Sequence, residues 1–307
     1  FNPKPAEYEI ATDDARIVIV GDWGSGLPRA RQVAQFMAEE IADGLSQNRP
    51  VHVIHLGDVY YSGDAVEIER RVLAEGMWPV TAAQARGGVT SWSLNGNHDM
   101  YCGGWGYFET LLREERFANQ QSPDGQPTSF FRIKTPSWDL VGLDTSWDPE
   151  VLSLGQRGVL ADPQATVVGG WAAESDRKLM LLTHHQLVSA YDLKDLGTVL
   201  PTKLGPLLDS GRISAWLWGH EHRCMGFEGA HGIPFLRCIG HGGIPVPARD
   251  ETAALPPPGV WQEGGSFEEN GAVWSSFGFA VLDFDGPRVV VRYRDDQGTQ
   301  TRSEQIG

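Results

Sequence analysis

The chain has 307 residues, of which 41% are hydrophobic and 21% are charged, and its formal net charge is −15. This length and composition predict a soluble globular protein, because no apolar run approaches the roughly 20 residues needed to cross a bilayer. The negative charge disfavours binding to nucleic acid or to anionic membranes, since no cluster of lysine or arginine offsets it.

The candidate ligands described below extend from residue 22 to residue 222, so a domain boundary inside that range would divide one site. We therefore expect residues 1–307 to form a single domain. The sequence begins at Phe1 without an initiator methionine or the apolar stretch of a signal peptide. The compartment is left open between the cytoplasm and export after loss of a leader, and the oligomeric state is not predicted.

Three cysteines are too few for a disulfide framework, namely Cys102, Cys224 and Cys238. If residues 223–228 pair with residues 233–239 as a hairpin, Cys224 lies roughly opposite Cys238. A single disulfide between them is therefore an open alternative.

Five predicted strands are each followed directly by polar residues. The first is a β-branched run at residues 16–20, and helical spacing of apolar side chains follows at residues 28–45. The other four strands are predicted at residues 51–56, 89–94, 178–182 and 213–218, and a second helix is predicted at residues 65–75. Because loops at the carboxyl ends of strands converge in α/β sheets, we expect one crevice to receive all five loops.

The remaining sequence predicts further strands and one long loop. The strands are residues 130–133, 138–143, 278–284 and 289–293, with a tight Asp285-Gly286 turn between the last two. Residues 245–271 show little periodicity and predict a loop that serves either as a lid or as a surface excursion.

The loops after the five strands contain the residues suited to metal chemistry. They read Gly21-Asp22-Trp23-Gly24, Gly57-Asp58-Val59-Tyr60-Tyr61, Gly96-Asn97-His98-Asp99, Thr183-His184-His185-Gln186 and Gly219-His220-Glu221-His222. A Gly-Asp pair alone is weak evidence, because aspartate commonly caps helices. An amide, an imidazole and a carboxylate in succession are stronger evidence, since burying them without partners is costly. Together these donors suit a two-metal hydrolytic centre.

In this order the five motifs resemble those of the calcineurin-like metallophosphoesterases, and they span about two-thirds of the chain. The details are similar to the purple acid phosphatase branch, since Gly24 stands where a histidine is usual and Tyr61 is the third residue after Asp58. The resemblance implies an α/β (α+β) fold, a four-layer αββα sandwich. In it, helices flank two packed mixed β-sheets and the metal site lies at the C-terminal strand ends.

The resemblance also implies seven ligands for two metal ions, three for each ion and one that bridges them. They are, in that order, Asp22, Tyr61 and His222; Asn97, His184 and His220; and Asp58. A phenolate is a hard anionic donor, so Tyr61 implies Fe(III) beside divalent iron, zinc or manganese. Two alternatives are open: both Tyr60 and Tyr61 pack beneath the site, or His185 replaces His184 as the ligand.

The implied function is hydrolysis of a small phosphorylated substrate, most simply a phosphomonoester, by in-line attack of a metal-bound hydroxide. His98 would protonate the leaving alkoxide, Asp99 would hold the His98 tautomer, and His185 would contact the phosphate. A phosphodiesterase is the alternative, because the same centre cleaves either ester. A catalytically inactive protein-binding scaffold is a remote alternative, since it would have little use for these ligands.

Overall fold

The structure, a computed structural model, describes residues 2–148, 157–191, 199–250 and 253–307. The strands are β1 Ala6–Glu9, β2 Arg16–Val20, β3 Val51–His55, β4 Thr90–Ser93, β5 Phe131–Lys134, β6 Trp138–Gly142, β7 Lys178–Thr183, β8 Ile213–Trp218, β9 Cys224–Phe227, β10 Phe235–Ile239, β11 Gly259–Gln262, β12 Ser266–Glu269, β13 Ala272–Ser275, β14 Gly278–Asp285, β15 Arg288–Asp295 and β16 Gln300–Ile306. The α-helices are α1 Pro28–Ser46, α2 Ala65–Ile68, α3 Ala82–Arg86, α4 Asn97–Met100, α5 Asp162–Glu174, α6 Val199–Lys203 and α7 Gly205–Asp209. Residues Glu69–Leu73 and Gly106–Leu111 are π-helical, and Glu115–Phe117 is a 3₁₀ turn.

Two mixed sheets form the centre of the described structure. The larger sheet has the strand order β1-β5-β6-β7-β8-β10-β9-β11, and the smaller has the order β16-β15-β14-β2-β3-β4. Strands β2, β3 and β4 are mutually parallel, as are β6, β7 and β8. Strands β12 and β13 pair with each other as a separate hairpin.

Alternation of apolar side chains along the strands creates the layers. In β2, Ile17 and Ile19 belong to the core between the two sheets, whereas Val18 and Val20 pack on the outer face of the smaller sheet with helix α1. The outer face of the larger sheet is covered in the same way by a core that includes Trp171 of α5. Because successive strand residues point to opposite faces, each strand contributes to two cores. The predicted four-layer sandwich is confirmed.

The predicted elements agree with the structure near the site and less well at the periphery. The strand at residues 16–20 and the strand at residues 213–218 have the predicted bounds. The prediction of a long loop at residues 245–271 is wrong in part: β11 extends the larger sheet there and β12 belongs to a hairpin, while residues 251–252 lie outside the described residues. The expected single domain stays a prediction. Within the described ranges, no helix is both long and apolar enough to span a membrane.

The expected hairpin forms from β9 and β10, but the disulfide alternative is wrong. Cys224 pairs with Ile239, and Cys238 pairs with Met225, so the two cysteines are one position out of register. Cys224 contributes to the core between the sheets and Cys238 to the outer core of the larger sheet, and both thiols are free. A shift of one residue moves a side chain to the other face of a sheet, which separates the two sulfur atoms.

A buried carboxylate ties helix α1 to the smaller sheet. The Glu40 carboxylate accepts from Arg292 at 2.8 Å and from Arg294 at 2.6 Å, and Arg16 lies 3.2 Å away. Burial alone would raise the pKa of Glu40, but Arg292 and the other arginines outweigh it and hold the pKa below its usual range. The ionised carboxylate therefore stabilises the fold.

We expect Glu40→Gln to lower the free energy of unfolding by about 1.5–3 kcal/mol at neutral pH, because it removes charge-assisted hydrogen bonds from Arg292 and Arg294, while Arg292 keeps its ion pair with Asp283. Since the folded-state pKa lies below the unfolded-state value, this contribution is present above the unfolded pKa of about 4.3 and is lost as the pH falls through the folded pKa. Urea unfolding at pH 7 and in acid checks both statements. The exposed neighbour Glu39 gives a matched control, Glu39→Gln. A variant as stable as the unsubstituted protein at pH 7 would contradict the stabilising role.

Candidate metal centre

The loops after β2, β3, β7 and β8 meet at one end of the sandwich. Asp22 follows β2, Asp58 follows β3, His184 follows β7 and His220 follows β8. The two sheets are joined at this end, since His184 Nδ1 lies 2.9 Å from the carbonyl oxygen of Leu56 at the end of β3. The structure therefore brings these four motif loops together, as predicted.

Four of the predicted ligands have left-handed backbone conformations, which residues with side chains seldom adopt. Their φ angles are 57° for Asp22, 74° for Asp58, 67° for His220 and 52° for His222. Such conformations cost of order 1–3 kcal/mol each and cluster at functional sites, where they aim side chains inward. The backbone of these loops therefore directs the four side chains toward the site.

The motif glycines are explained by close approach to the ligands. A Cβ atom on Gly96 would lie 1.8 Å from Oδ1 of Asp58. A Cβ atom on Gly57, whose φ is +101°, would lie 2.7 Å from Nδ1 of His184. Larger residues at either position would displace a candidate ligand.

Two groups of metal-binding side chains share one carboxylate. Asp58, His184 and His220 form one group, and Asp22, Asp58 and His222 form the other, with the candidate ligand atoms of each group within 4.8 Å of one another. In the first group, Nε2 of His184 lies 3.4 Å from Oδ1 of Asp58 and 3.1 Å from Nδ1 of His220. Oδ1 of Asn97 lies 3.2 Å from the same Nε2 atom, so the amide oxygen points into this group. Asp58 is thus the side chain common to both groups.

The electrostatics of the two groups favour cations. Burial raises the pKa of Asp22 to about 8, with a further contribution from the charge of Asp58 and an opposing one from His184. Burial also opposes ionisation of Asp58 and protonation of His184, but the two groups act on each other. They hold the pKa of Asp58 below its usual range and raise that of His184 to about 9. Two fully buried carboxylates beside imidazoles are a donor set that divalent or trivalent cations stabilise, so these residues fit a metal centre.

The phenol hydroxyl that lies in the second group belongs to Tyr60, whereas the sequence prediction named Tyr61. The Tyr60 hydroxyl lies 2.9 Å from Oδ1 of Asp22, 2.9 Å from Oδ2 of Asp58 and 2.8 Å from Nε2 of His222. Tyr60 is 4% exposed, whereas Tyr61 is 70% exposed and its ring contacts His98. The physical reason is that adjacent residues in this loop direct their side chains to opposite sides, one into the cluster and one to solvent.

His98 lies beside the two groups within a set of aromatic rings. Its ring centroid is 4.5 Å from that of Tyr60, 5.1 Å from that of Tyr61 and 4.6 Å from that of Tyr101. Nδ1 of His98 lies 2.6 Å from the carbonyl oxygen of Tyr61. Because a carbonyl oxygen only accepts, Nδ1 carries a hydrogen, and Nε2 is the nitrogen that can gain or lose a proton.

The prediction that Asp99 orients His98 is wrong. The Asp99 carboxylate accepts instead from three backbone amides, those of Gly96 at 2.7 Å, Asp58 at 2.8 Å and Val59 at 3.0 Å. Asp99 thus joins the loop after β3 to the loop after β4, and the Tyr61 carbonyl holds the His98 ring. Neighbouring residues of the short helix α4 point in different directions, which explains why adjacency in sequence misled the prediction.

His185 is buried next to the first group, and His184, not His185, is the imidazole within it. The ring of His185 lies 4.7 Å from that of His220, and its Nδ1 lies 2.9 Å from Oγ1 of Thr145. The structure also adds Tyr101, whose hydroxyl accepts from Nδ2 of Asn97 at 2.8 Å and so leaves the amide oxygen directed toward His184. Tyr101 had no recognisable spacing in the sequence beyond its place in the turn after Asp99.

A family model described as calcineurin-like phosphoesterase matches residues 15–224, more than half of the chain. The chain belongs to this family. The resemblance to calcineurin-like metallophosphoesterases is thereby confirmed, and this metallophosphoesterase is a phosphoric ester hydrolase. The family implies a dinuclear metal centre, with which the two groups around Asp58 agree.

This metallophosphoesterase has purple acid phosphatase relatives at low identity. Tartrate-resistant acid phosphatase type 5 of Oryctolagus cuniculus is 23% identical over 312 residues, covering 94% of this chain and 90% of the relative. The Homo sapiens protein of the same name is 23% identical over 313 residues, covering 96% of this chain and 91% of its own length. A solved structure, GAP50, the anchor in the inner membrane complex of Plasmodium, aligns with a TM-score of 0.63 at 10% identity, covering 96% of this chain and 89% of that one. The last similarity concerns the fold alone.

Proposed function

We propose that this metallophosphoesterase is a phosphomonoesterase that works with two bound metal ions. The observation that carries the proposal is the shared position of Asp58, which belongs to both groups of candidate ligands. A second line of support is the acid phosphatase activity named for the relatives from Oryctolagus cuniculus and Homo sapiens.

The proposed ligands differ from the sequence prediction at one position. Asp22, Tyr60 and His222 would hold one ion, and Asn97, His184 and His220 would hold the other. Asp58 would bridge both ions. Burial, followed by the charges of Asp22 and Asp58, raises the pKa of Tyr60 well above its usual value, so its phenolate form needs a strongly positive partner. Fe(III) is the cation that matches a hard anionic phenolate, and a divalent iron, zinc or manganese ion suits the imidazole-rich group.

The chain's own residues perform the proton transfer in this proposal. When two cations are bound, they supply activation of water and neutralisation of phosphoryl charge. His98 donates from Nε2 to the oxygen of the leaving alcohol, while its Nδ1 stays hydrogen-bonded to the Tyr61 carbonyl. Asp99 fixes the relative position of the loops that carry Asp58 and His98. His185, held by Thr145 beside His220, is the proposed second imidazole that contacts the phosphate.

The proposed function is tested by metal analysis of the purified protein, followed by parallel assays of p-nitrophenyl phosphate and bis-p-nitrophenyl phosphate. We expect two metal ions per chain and a higher kcat/KM for the monoester. A preference for the diester would indicate a phosphodiesterase. An inactive protein after reconstitution with iron, zinc and manganese would favour the scaffold alternative.

The identity of the phenolate ligand gives a spectroscopic prediction. With Fe(III) bound, Tyr60→Phe should abolish the visible charge-transfer band, because the phenylalanine ring has no oxygen to donate to the metal. Tyr61→Phe serves as the matched variant and should keep the band, since its side chain is 70% exposed. Visible absorption of the reconstituted proteins measures both. A band lost in Tyr61→Phe and kept in Tyr60→Phe would return the ligand to the position predicted from the sequence.

A further inference from the structure

An arginine that is not among the candidate ligands directly follows one of them in sequence. Arg223 directly follows the candidate ligand His222, so their Cα atoms are about 3.8 Å apart. Its guanidinium carbon lies 4.2 Å from the centroid of the Tyr191 ring. Among the residues described by the structure, no carboxylate lies within 4.0 Å of its nitrogens.

The Tyr191 ring beneath Arg223 is held from two sides. Its hydroxyl donates to Oε1 of Gln262 at 2.6 Å, which connects it to strand β11. Its backbone amide donates to Oγ of Ser189 at 3.0 Å, and that hydroxyl also donates to the Glu221 carboxylate. Glu221 lies between the candidate ligands His220 and His222 in sequence. The ring is therefore attached to the same loop that presents the two histidines.

Among the described residues, no hydrogen bond or ion pair occupies the N–H donors of Arg223, whose guanidinium carbon lies over the Tyr191 ring. A guanidinium that lies over a ring contacts it with its face, whereas its N–H donors point outward in the plane. Those donors match the geometry of a carboxylate or a phosphate, which they bind through two parallel hydrogen bonds. Tyr191 is 43% exposed and Arg223 is half-buried, so a substrate can reach this face.

The charge of the chain favours ion pairing of its arginines. With a net charge of −15, the protein has many carboxylates available to pair with surface arginines, and arginines elsewhere, such as Arg16 and Arg237, are paired in this way. An arginine that is stacked, lacks an ion-pair partner in the described part of the chain and adjoins the candidate ligands is suited to bind a negative group on the substrate.

We propose that Arg223 and Tyr191 form a recognition subsite for a second anionic group of the substrate. The preferred substrate is then a phosphomonoester whose alcohol portion carries a carboxylate or a second phosphate. This inference rests on the proposed phosphomonoesterase function and specifies its substrate class. Stacking on Tyr191 fixes the guanidinium in advance, so less freedom is lost when the anion binds.

The test uses aryl phosphates that differ only in one ring substituent. Phenyl phosphate is the parent compound, 3-carboxyphenyl phosphate and benzene-1,3-diyl bisphosphate carry the second anion, and 3-carbamoylphenyl phosphate is the neutral analogue of the carboxylate. The quantity measured is the ratio of kcat/KM for each anionic substrate to that for the carbamoyl analogue. We expect a ratio of about ten in the unsubstituted, metal-reconstituted protein, as for one charge-assisted hydrogen-bonded contact. The two anionic substrates distinguish a carboxylate preference from a phosphate preference.

Three variants assign the preference to the subsite. Arg223→Met should bring the ratio close to one, and Tyr191→Leu should lower it in part by removing the stacking surface. Arg288→Met is the matched control and should leave the ratio unchanged. Arg288 is the exposed first residue of β15, near the start of β2 and away from the motif loops. A ratio near one in the unsubstituted protein, or a ratio that survives in Arg223→Met, would overturn the subsite while the proposed function stands. If none of the four compounds is hydrolysed, the proposed function and the subsite are both overturned.

Discussion

Replacing Asp58 with asparagine is expected to remove metal binding and reduce turnover by roughly 10³-fold or more. Asp58 is the side chain common to both groups of candidate ligands, and its two oxygens face different partners: Oδ1 faces His184, and Oδ2 accepts from Tyr60. An asparagine keeps the shape but loses the anionic charge, so it cannot bridge two cations. Loss of one ion removes several kcal/mol of transition-state stabilisation, and each 1.4 kcal/mol corresponds to a factor of ten in rate. Metal content by elemental analysis and kcat with p-nitrophenyl phosphate measure the two effects.

The Asp58→Asn variant should remain folded, because the substitution conserves volume and removes one of two buried carboxylates that repel each other. Circular dichroism checks the fold independently of activity. Asp176→Asn is the matched control, since Asp176 is an exposed carboxylate in the loop that enters β7, at the end of the strand opposite His184. If Asp58→Asn bound two metal ions and kept its activity, Asp58 would not be the bridging ligand.

The sequence was sufficient to predict where the candidate site lies. Five predicted strands of five or six residues are each followed by a motif. The meeting of the motifs then follows from the rule that loops at the carboxyl ends of strands converge. Asp22, Asp58, His184 and His220 accordingly meet at one end of the sandwich. The motif glycines strengthened this prediction, and Gly96 shows why, because any side chain there would overlap the carboxylate of Asp58.

The sequence was not sufficient to predict which of two neighbouring side chains points into the site. The spacing of the motif did not determine whether Tyr60 or Tyr61 turns inward, because that depends on the local backbone of the loop after β3. The partner of His98 was misassigned for the same reason: Asp99 is adjacent in sequence but points to backbone amides. Cys224 and Cys238 give the corresponding case in a sheet, where a register shift of one position places them on opposite faces.

The strands missed in the sequence lie at the periphery. β1 and β16 are edge strands of the two sheets, and β11 is the edge strand at the other side of the larger sheet. Edge strands bury less apolar surface than central strands, so their alternation is weak. The pattern of exposed and half-buried residues along β16 illustrates this, with only its last residue, Ile306, fully buried. None of these strands carries a candidate ligand, so missing them did not affect the predicted convergence of the motif loops.

His98→Ala is expected to lower kcat by about 10²–10⁴-fold while leaving both metal ions bound, as expected for loss of a general acid. The ring of His98 contacts Tyr60 and Tyr101, but its side chain lies outside both groups of candidate ligands. The Tyr61 carbonyl occupies Nδ1, so Nε2 is the nitrogen from which a proton can be transferred. Elemental analysis of the purified variant and steady-state kinetics with a phosphomonoester measure metal content and turnover.

The dependence on the leaving group separates proton donation from substrate binding. An alkoxide leaving group needs a proton in the transition state, whereas nitrophenolate is stable enough to depart with little help, so the deficit in His98→Ala should be larger for an alkyl phosphate than for p-nitrophenyl phosphate. His231→Asn provides a control histidine in the exposed turn between β9 and β10 and should behave as the unsubstituted protein. An equal deficit for both substrates would assign His98 to phosphate binding instead. Full activity of His98→Ala toward the alkyl phosphate would exclude any catalytic role for this imidazole. His185, a buried imidazole beside His220 and outside the proposed ligand set, would then be the next proton donor to test.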